Sequence, residues 1–289
     1  MSALGVFILK SLVCLKQRIR PPKMAGRPEE TWDSYFRWQF ESSETLFARY
    51  PNWNIAGKTV LEIGCGLGGR TAWLATAGAK EAVGIDINRE EIALARRLSS
   101  QFHADLAGRL QYHEVDEDQP LDIGTFDVIV MVDCMEHVVS PPKIMRLAYD
   151  YLAPGGQFYF SSGGWYHHSG SHTYLLPFAN VFFSDETILN VIRWSVTQPG
   201  YVPSRFDSDP PIERWRGLYD LRDRPGEHLN KITIREMKKL VRYSIFPYSR
   251  LTVLGFTRKN PLVRLFNVLT RVPILQEVWH SAAVVECRK

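Results

Sequence analysis

Residues 58–162 alternate between short apolar runs and amphipathic segments of helical length. The runs T-V-L-E-I, E-A-V-G-I-D and F-D-V-I-V-M-V are almost continuously apolar, which is typical of strands buried on both faces of a sheet. The segments between them favour helices, and Asn88 stands where a helix N-cap would be. This alternation predicts an α/β fold whose parallel sheet has helices on both faces. Ligands of such sheets bind beyond the carboxyl ends of the strands.

The regular alternation ends after Ser162. Residues 163–243 are rich in aromatic side chains and histidines and predict two or three helices. Further on, S-R-L-T-V-L-G-F and S-A-A-V-V-E-C-R predict two late strands, with an apolar and basic helix between them at 261–273. We therefore expect one domain over 29–289 that carries an insertion, or lid, over about 163–243, preceded by a basic amphipathic segment over 1–28.

The positive charge of the chain is concentrated at its amino terminus. The chain has 35 basic and 31 acidic residues, of which six basic and no acidic residues lie in 1–27, so the remainder has a net charge of −2. A nucleic-acid-binding protein usually spreads positive charge over its folded surface, and this composition therefore disfavours a nucleic-acid partner.

The amino-terminal segment is expected to be either a helix that packs on the domain or a frayed terminus. Its apolar run is interrupted by Lys10 and is too short to cross a bilayer, and the basic residues follow it, unlike those of a secretory signal. The alternative, peripheral contact with an anionic membrane surface, stays open. The chain also lacks any C-x-x-C spacing, which disfavours disulfides and zinc ribbons. We expect a cytoplasmic protein, with membrane association and oligomeric state left open.

The stretch V-L-E-I-G-C-G-L-G-G-R predicts a strand, a glycine-rich turn and the start of a helix. Glycines allow a tight turn and let a ligand approach the backbone closely. Two patterns fit this stretch. Gly64, Gly66 and Gly69 form the G-x-G-x-x-G of dinucleotide sites, whereas Glu62, Gly64, Gly66 and Gly68 form E-x-G-x-G-x-G.

The charge of Glu62 distinguishes between the two cofactors that these patterns suggest. In a dinucleotide site the pyrophosphate lies at the helix N-terminus, where Glu62 would repel it. S-adenosylmethionine has no phosphate, and its ammonium and sulfonium groups are attracted to a nearby carboxylate. Asp86 ends the second predicted strand and suits the ribose hydroxyls of either cofactor. The residues favour S-adenosylmethionine, and a Rossmann-type NAD(P)-dependent oxidoreductase remains the alternative.

The ordered motifs L-E-I-G-C-G-L-G-G, G-I-D-I-N, F-D-V-I-V-M-V-D-C-M-E-H-V and L-A-P-G-G-Q-F resemble the class I S-adenosylmethionine-dependent methyltransferases over about residues 58–162. The family implies a Rossmann-like, doubly wound sheet of seven strands whose last strand is antiparallel. It also implies methyl transfer from S-adenosylmethionine, with a non-catalytic protein that binds this cofactor as a further alternative. The segments G-W-Y-H-H-S-G-S-H and L-N-K-I-T resemble bacterial small-molecule and cell-surface-glycan methyltransferases. The implied acceptor is a small molecule: a sugar, a lipid-linked glycan or a natural product.

The resemblance also implies which residues hold the cofactor. The glycines would lie under its methionine part, and Glu62 would organise this turn towards the ammonium. Asp86 would bind the ribose, Asp116 with Glu117 would lie near the adenine amino group, and Asp133 would lie beside the methyl. The expected cofactor-binding residues are Glu62, Gly64, Cys65, Gly66, Gly68, Asp86, Ile87, Asp116, Glu117 and Asp133.

Methyl transfer to a hydroxyl is faster when a base takes the hydroxyl proton, and histidine suits this role because its ordinary pKa is near neutrality. His167, His168 and His172 follow the fifth predicted strand. We expect His172, and after it His168, to be the base or to orient the acceptor; Asp133 completes the expected catalytic set. Structural hydrogen bonding is the alternative for each histidine. The sequence D-C-M-E after the fourth strand favours oxygen over planar nitrogen as the methylated atom, and H-H-x-x-x-H matches no metal-ligand spacing, so no metal is expected.

Overall fold

The computed structural model describes residues 3–19, 31–116, 121–173, 175–198, 229–257, 263 and 266–289. Within these ranges seven strands form one sheet in the order β3-β2-β1-β4-β5-β7-β6. Strands β1 to β5 pair in parallel, and β7 is antiparallel to both of its neighbours. The expected seven-stranded sheet with an antiparallel last strand is confirmed. The strands are β1 (Thr59–Ile63), β2 (Glu81–Asp86), β3 (Leu110–Glu114), β4 (Phe126–Val132), β5 (Leu152–Ser162), β6 (Tyr248–Leu254) and β7 (Ala282–Arg288).

Helices cover both faces of this sheet. Asn88 caps the helix that follows β2, as expected, because its side chain accepts hydrogen bonds from the backbone N–H groups of Glu90 and Glu91. The helices are α1 (Ala3–Ile19), α2 (Trp32–Phe47), α3 (Gly69–Thr76), α4 (Arg89–Phe102), α5 (Pro141–Tyr151), α6 (Ala179–Phe182), α7 (Asp185–Ser195) and α8 (Ile234–Arg242).

The core lies on the two faces of the central strands. Leu61 of β1 belongs to a buried cluster that includes Met145 of α5 and Met237 of α8. Its neighbour Val60 points to the other face and packs in a cluster with Phe47. Since successive strand residues point to opposite faces and both faces are buried here, β1 is mainly apolar, and Glu62 is its buried exception.

Helix α1 packs on the region that follows β5. Leu9 and Val13 are fully buried in a cluster with Trp165, just after β5, and with Ile188 and Val191 of α7. The amino-terminal segment thus forms the expected packing helix over Ala3–Ile19. No helix among the described residues is long and apolar enough to cross a membrane.

Two element boundaries differ from the expectation. Strand β5 begins at Leu152 rather than at Gln157, because Leu152 pairs with Phe126 before an irregularity in the β4–β5 register. From the sequence alone, the run Q-F-Y-F-S-S, which starts at Gln157, predicts the strand. The helix predicted at 261–273 is, where described, mainly a 3-10 helix over Asn267–Arg271. There the Asn267 side chain forms hydrogen bonds with the backbone N–H and carbonyl of Phe256. Short polar side chains that bond the backbone in this way compete with regular helix formation.

Candidate active site

A cavity of about 990 Å³ opens at the carboxyl ends of β1, β2 and β4. It lies where the strand order reverses between β1 and β4, the position at which doubly wound sheets bind ligands. Its walls include Gly64 and Gly66 after β1, Asp86 at the end of β2 and Asp133 after β4. A cavity of this size is at the upper end of the range for small-molecule sites and has room for two ligands side by side.

The turn after β1 is built from glycines for two reasons. Gly64, Gly66 and Gly68 have φ angles of +72°, +52° and +77°, a left-handed region that other residues adopt at a cost. A Cβ on Gly64 would overlap the Sγ of Cys134, and one on Gly68 would overlap the ring of Tyr112. Space and backbone conformation therefore both require glycine here, and the turn leaves its backbone open to the cavity.

We expect Gly64→Ala to lower the free energy of unfolding by about 3 kcal/mol. A left-handed alanine costs about 1–2 kcal/mol, and the overlap with Cys134 adds about 1–3 kcal/mol. Gly57→Ala is the matched control, because Gly57 also has a φ of +72° but a Cβ there would meet nothing within 4 Å. Its expected cost is about 1 kcal/mol. Urea unfolding of both variants measures the difference, and equal losses would contradict the tight approach of Cys134.

Asp86 joins the glycine turn to the end of β2. Its Oδ2 accepts a hydrogen bond from the backbone N–H of Gly66 at 2.8 Å, and its Oδ1 accepts one from the N–H of Asn88 at 2.9 Å. Burial raises the pKa of Asp86, and these backbone hydrogen bonds oppose the rise. Each carboxylate oxygen keeps a second lone pair, so Asp86 can accept two further hydrogen bonds from hydroxyl groups of a ligand in the cavity.

Glu62 lies beneath the glycine turn rather than on the cavity wall. Its side chain is 1% exposed and accepts a hydrogen bond from Thr71 Oγ1 at 2.6 Å. Burial raises the pKa of Glu62 to about 7, and the Arg70 guanidinium opposes the rise. A cation bound above the turn would act in the same direction as Arg70: it would lower the pKa of Glu62 and favour the ionised carboxylate.

The expected cofactor residues divide between the cavity wall and the layer behind it. Cys65 is buried, as is Glu62, and neither is a wall residue; Gly68 caps α3 behind the turn. Glu117 lies outside the described residues. The expected residues on the wall are Gly64, Gly66, Asp86, Ile87, Asp116 and Asp133.

Arg70 is a wall residue that the sequence analysis missed. It stands in the first turn of α3, is 8% exposed, and its guanidinium lies 5.7 Å from the ring centroid of Trp38. Its buried Nε has no hydrogen-bond partner within the part of the chain that the structure describes. Asp133 is accessible through the cavity, yet the surrounding protein raises its pKa by excluding bulk water, and Arg70 opposes this rise. The position of Arg70 directly after the glycine turn is the signal that could have identified it.

A second group lies after β4, where a 3-10 helix over Met135–His137 brings Glu136 and His137 beside His172. The rings of His137 and His172 meet edge to face, with their centroids 5.0 Å apart. The ligating atoms of Glu136, His137 and His172 lie within 4.8 Å of one another. Burial raises the pKa of Glu136 to about 8, and nearby Asp133 adds to the rise. His137 is a wall residue of the cavity, and His172 stands behind it.

This acid–histidine group has more than one chemical use. A carboxyl group and two imidazoles can accept or donate protons near neutral pH. The same three groups could also hold a divalent metal ion, because carboxylate and imidazole are common ligands of zinc. The expectation that the chain uses no metal therefore stays a prediction.

His167 and His168 belong to a separate group. Their ring centroids are 3.9 Å apart, and the ring of His280 lies 5.1 Å from that of His167. Burial, helped by these two neighbours, lowers the pKa of His167 to about 3, so that His167 is neutral and only weakly basic near pH 7. Neither His167 nor His168 is a wall residue of the cavity. Their catalytic role stays a prediction, and the geometry supports it less well than that of His172.

Asn230 fastens the turn that carries Glu136 and His137. Its Nδ2 donates hydrogen bonds to the backbone carbonyls of Met135 and Val138, both at 2.8 Å. Its backbone N–H donates to the carbonyl of Glu136 at 2.8 Å, and its Oδ1 accepts from the N–H of Ile232. The L-N-K-I-T segment thus holds the chain after β4 in place.

We expect Asn230→Ala to lower kcat by about 10- to 100-fold, because small displacements of reacting groups are costly, while cofactor affinity changes by about twofold or less. Asn267→Ala is the matched control. Its side chain bonds the backbone of Phe256 through both amide atoms, and neither residue lines the cavity. Steady-state kinetics and cofactor titration separate the two effects. Equal kcat values for the two variants would contradict a positioning role for Asn230.

Known proteins resemble the chain over the region that contains this cavity. Residues 35–243 match the profile of the "Methyltransferase domain" family. The ubiquinone biosynthesis O-methyltransferase of Sodalis glossinidius is 37% identical over 111 residues, which cover 37% of this chain and 42% of that protein. The protein of the same name from Pseudomonas paraeruginosa is 34% identical over 110 residues, which cover 37% of this chain and 45% of that protein. The chain thus spans less than half of the length of these curated relatives.

Among the solved structures that are similar over most of the chain, one serves as an example. It is an S-adenosylmethionine-dependent methyltransferase from Mesorhizobium loti, with 17% identity and a TM-score of 0.48 over 90% of this chain and 100% of that one. This likeness is too distant to carry an argument about function.

Proposed function

Because the chain belongs to the methyltransferase-domain family of class I S-adenosylmethionine-dependent enzymes, we propose that it transfers the methyl group of S-adenosylmethionine to a hydroxyl oxygen of a small-molecule acceptor. Membership of this family excludes the alternative that the chain is a nicotinamide-dependent oxidoreductase. The observation that carries the proposal is the pairing of Asp86 with the glycine turn at the switch point of the sheet.

The cavity suits S-adenosylmethionine, the cofactor of this family. The carboxylate of Asp86 has lone pairs available for two ribose hydroxyls, and the left-handed glycines leave room for a ligand against the backbone. Asp116 and Asp133 on the wall, with Glu62 beneath the turn, provide negative charge for a cofactor that carries an ammonium and a sulfonium. We assign the ribose to Asp86, the adenine side to Asp116 and the methyl side to Asp133.

When bound, the cofactor supplies a methyl group that is already activated on sulfur. The tasks left to the chain are to align the acceptor and to exclude water. A cofactor held by Asp86 and the glycine turn would supply both the methyl carbon and the sulfur leaving group, so the chemical task left to the chain is removal of the acceptor's hydroxyl proton. We propose that His137 accepts the hydroxyl proton, since it lines the cavity. His172, whose ring contacts that of His137, would position it.

The acceptor is proposed at the level of a class. Two relatives are named for O-methylation in ubiquinone biosynthesis, which supports oxygen as the acceptor atom. The absence of an N-P-P-Y-type tetrapeptide after β4, where this chain has D-C-M-E, supports oxygen as well. A sugar, a lipid-linked glycan or a natural product such as a phenol fits this chemistry.

The test is labelled methyl transfer by the purified full chain. We expect calorimetric binding of S-adenosylmethionine and of S-adenosylhomocysteine, and incorporation of labelled methyl into hydroxyl acceptors from a panel of catechols, phenols and sugars, detected by mass spectrometry. Cofactor binding without turnover of any acceptor would favour the non-catalytic alternative. Absence of cofactor binding would overturn the proposal.

A further inference from the structure

Helix α1 has two apolar faces, and only one of them is used within the fold. Leu9 and Val13 are buried against α7 and the segment after β5. Two lysines at the flanks hold the helix in this place. The Lys16 ammonium donates to the carbonyl of Leu175 at 2.9 Å, and the Lys10 ammonium lies 5.2 Å from the ring centroid of Trp194. The helix is therefore fixed on the body of the protein, with its other face outward.

The outward face is a continuous apolar stripe of large side chains. Its members have exposed fractions between 40% and 71%. Because successive helix residues are rotated by about 100°, they share one arc of about 140° that runs along a helix about 25 Å long. The stripe consists of Leu4, Phe7, Ile8, Leu12, Leu15 and Ile19. Contiguous apolar patches of this kind on a protein surface mark sites of interaction.

The charge around the stripe indicates its partner. The sequence of residues 1–27 contains six basic and no acidic residues, of which Arg20, Lys23 and Arg27 lie outside the described residues. Among the described ones, the exposed Arg18 lies in the same arc as the stripe. A second copy packed on this face would bring two such basic segments together. A surface that combines acyl chains with anionic headgroups matches both the apolar stripe and the basic charge.

We propose that the outer face of α1, the stripe defined above, docks this protein on an anionic lipid surface. The helix lies in the plane of the interface rather than across the bilayer, since it has 17 residues and its inner face is buried against the body of the protein. Docking uses residues outside the cavity walls, so it is independent of the proposed function and is tested without turnover.

The experiment is flotation of the full-length chain with vesicles of phosphatidylglycerol and phosphatidylcholine, and with vesicles of phosphatidylcholine alone. We expect at least about tenfold stronger partition into the anionic vesicles, weakened by added salt. Phe7→Glu combined with Leu15→Glu should lower this partition about tenfold or more, because both charges fall in the stripe. Circular dichroism, the melting temperature and cofactor titration confirm that each variant is folded.

The matched control is Phe182→Glu combined with Ile274→Glu. These side chains are 76% and 81% exposed, so they are at least as accessible as those of the stripe but do not lie on α1. Their partition should stay within about twofold of the unmodified chain. Absence of flotation with anionic vesicles, or equal loss in the control, would overturn the proposal. A dimer in light scattering that Phe7→Glu with Leu15→Glu dissociates, without any flotation, would assign the stripe to a second copy instead.

Discussion

Asp86→Ala is expected to weaken the binding of S-adenosylmethionine by about 100-fold or more. Hydrogen bonds to a charged group are worth about 1.5–3 kcal/mol each, and the proposed pair of ribose contacts depends on this carboxylate. The substitution also removes the acceptors for the backbone N–H groups of Gly66 and Asn88, so the glycine turn loses its attachment to β2. Calorimetric titration with S-adenosylmethionine and S-adenosylhomocysteine measures both losses together.

Asp127→Ala is the matched control for Asp86→Ala. Asp127 also accepts two hydrogen bonds, from the backbone N–H of Thr59 at 2.9 Å and from its hydroxyl at 3.0 Å, and it too links neighbouring strands. It stands near the start of β4, at the edge of the sheet opposite the cavity. We expect its cofactor affinity to stay within about twofold. Undiminished affinity in Asp86→Ala would show that the ribose is not held at the end of β2.

His137→Ala is expected to lower kcat by about 100- to 10,000-fold, the usual worth of a positioned base, with little change in cofactor affinity. His172→Ala should lower kcat by a smaller factor, about tenfold, because His172 acts through the ring that it contacts. The measurement is the pH profile of kcat for each variant, using an acceptor identified by the labelling assay. If the acidic limb, in which kcat rises as the base loses its proton, is lost in the His137 variant alone, the group that takes the proton is identified.

His113→Ala is the control for both histidine variants, because His113 lies on β3 and bonds Gln111 rather than lining the cavity. A chelator adds a second arm. Activity that survives chelation agrees with a base, whereas activity that is lost and then restored by a divalent metal would assign Glu136, His137 and His172 to a metal site. Full activity in both variants would remove this group from the mechanism.

Burial on both faces explains which parts of the fold could be predicted from the sequence. The strands β1, β2 and β4 coincide with the apolar runs, because the residues in the middle of each strand are buried on both faces. The less buried residues of these strands lie at or near their ends: Thr59, Glu81, Asp86 and Asp127. The position of Asp86 beside the glycines after β1 was also predictable, because the carboxyl ends of parallel strands lie at the same edge of the sheet. Strand β5 begins before the Pro-Gly-Gly sequence because Leu152 pairs with Phe126. The pairing with β4 is interrupted at Pro-Gly-Gly, where Gly155 has a φ of +78°, and resumes at Gln157.

The acid–histidine group could be predicted only in part. His137 and His172 are far apart in sequence, and the contact between them depends on how Asn230 folds the chain after β4. Periodicity carries no information about such loop contacts, so the sequence favoured His172 without indicating its neighbour. Arg70 was missed because a basic residue in a short helix resembles a solvated one until burial is known.

Strand β7 occupies a position that bears on how the chain is synthesised. It is the last strand in sequence, yet it lies between β5 and β6 and pairs with both. While a ribosome is still adding residues 258–281, β5 therefore has one unpaired edge and β6 has no neighbour. Unpaired strand edges attract other chains. A nascent chain thus passes through a period in which the unpaired edge of β5 could pair with another chain. That period ends when residues 282–288 emerge and β7 pairs with both β5 and β6.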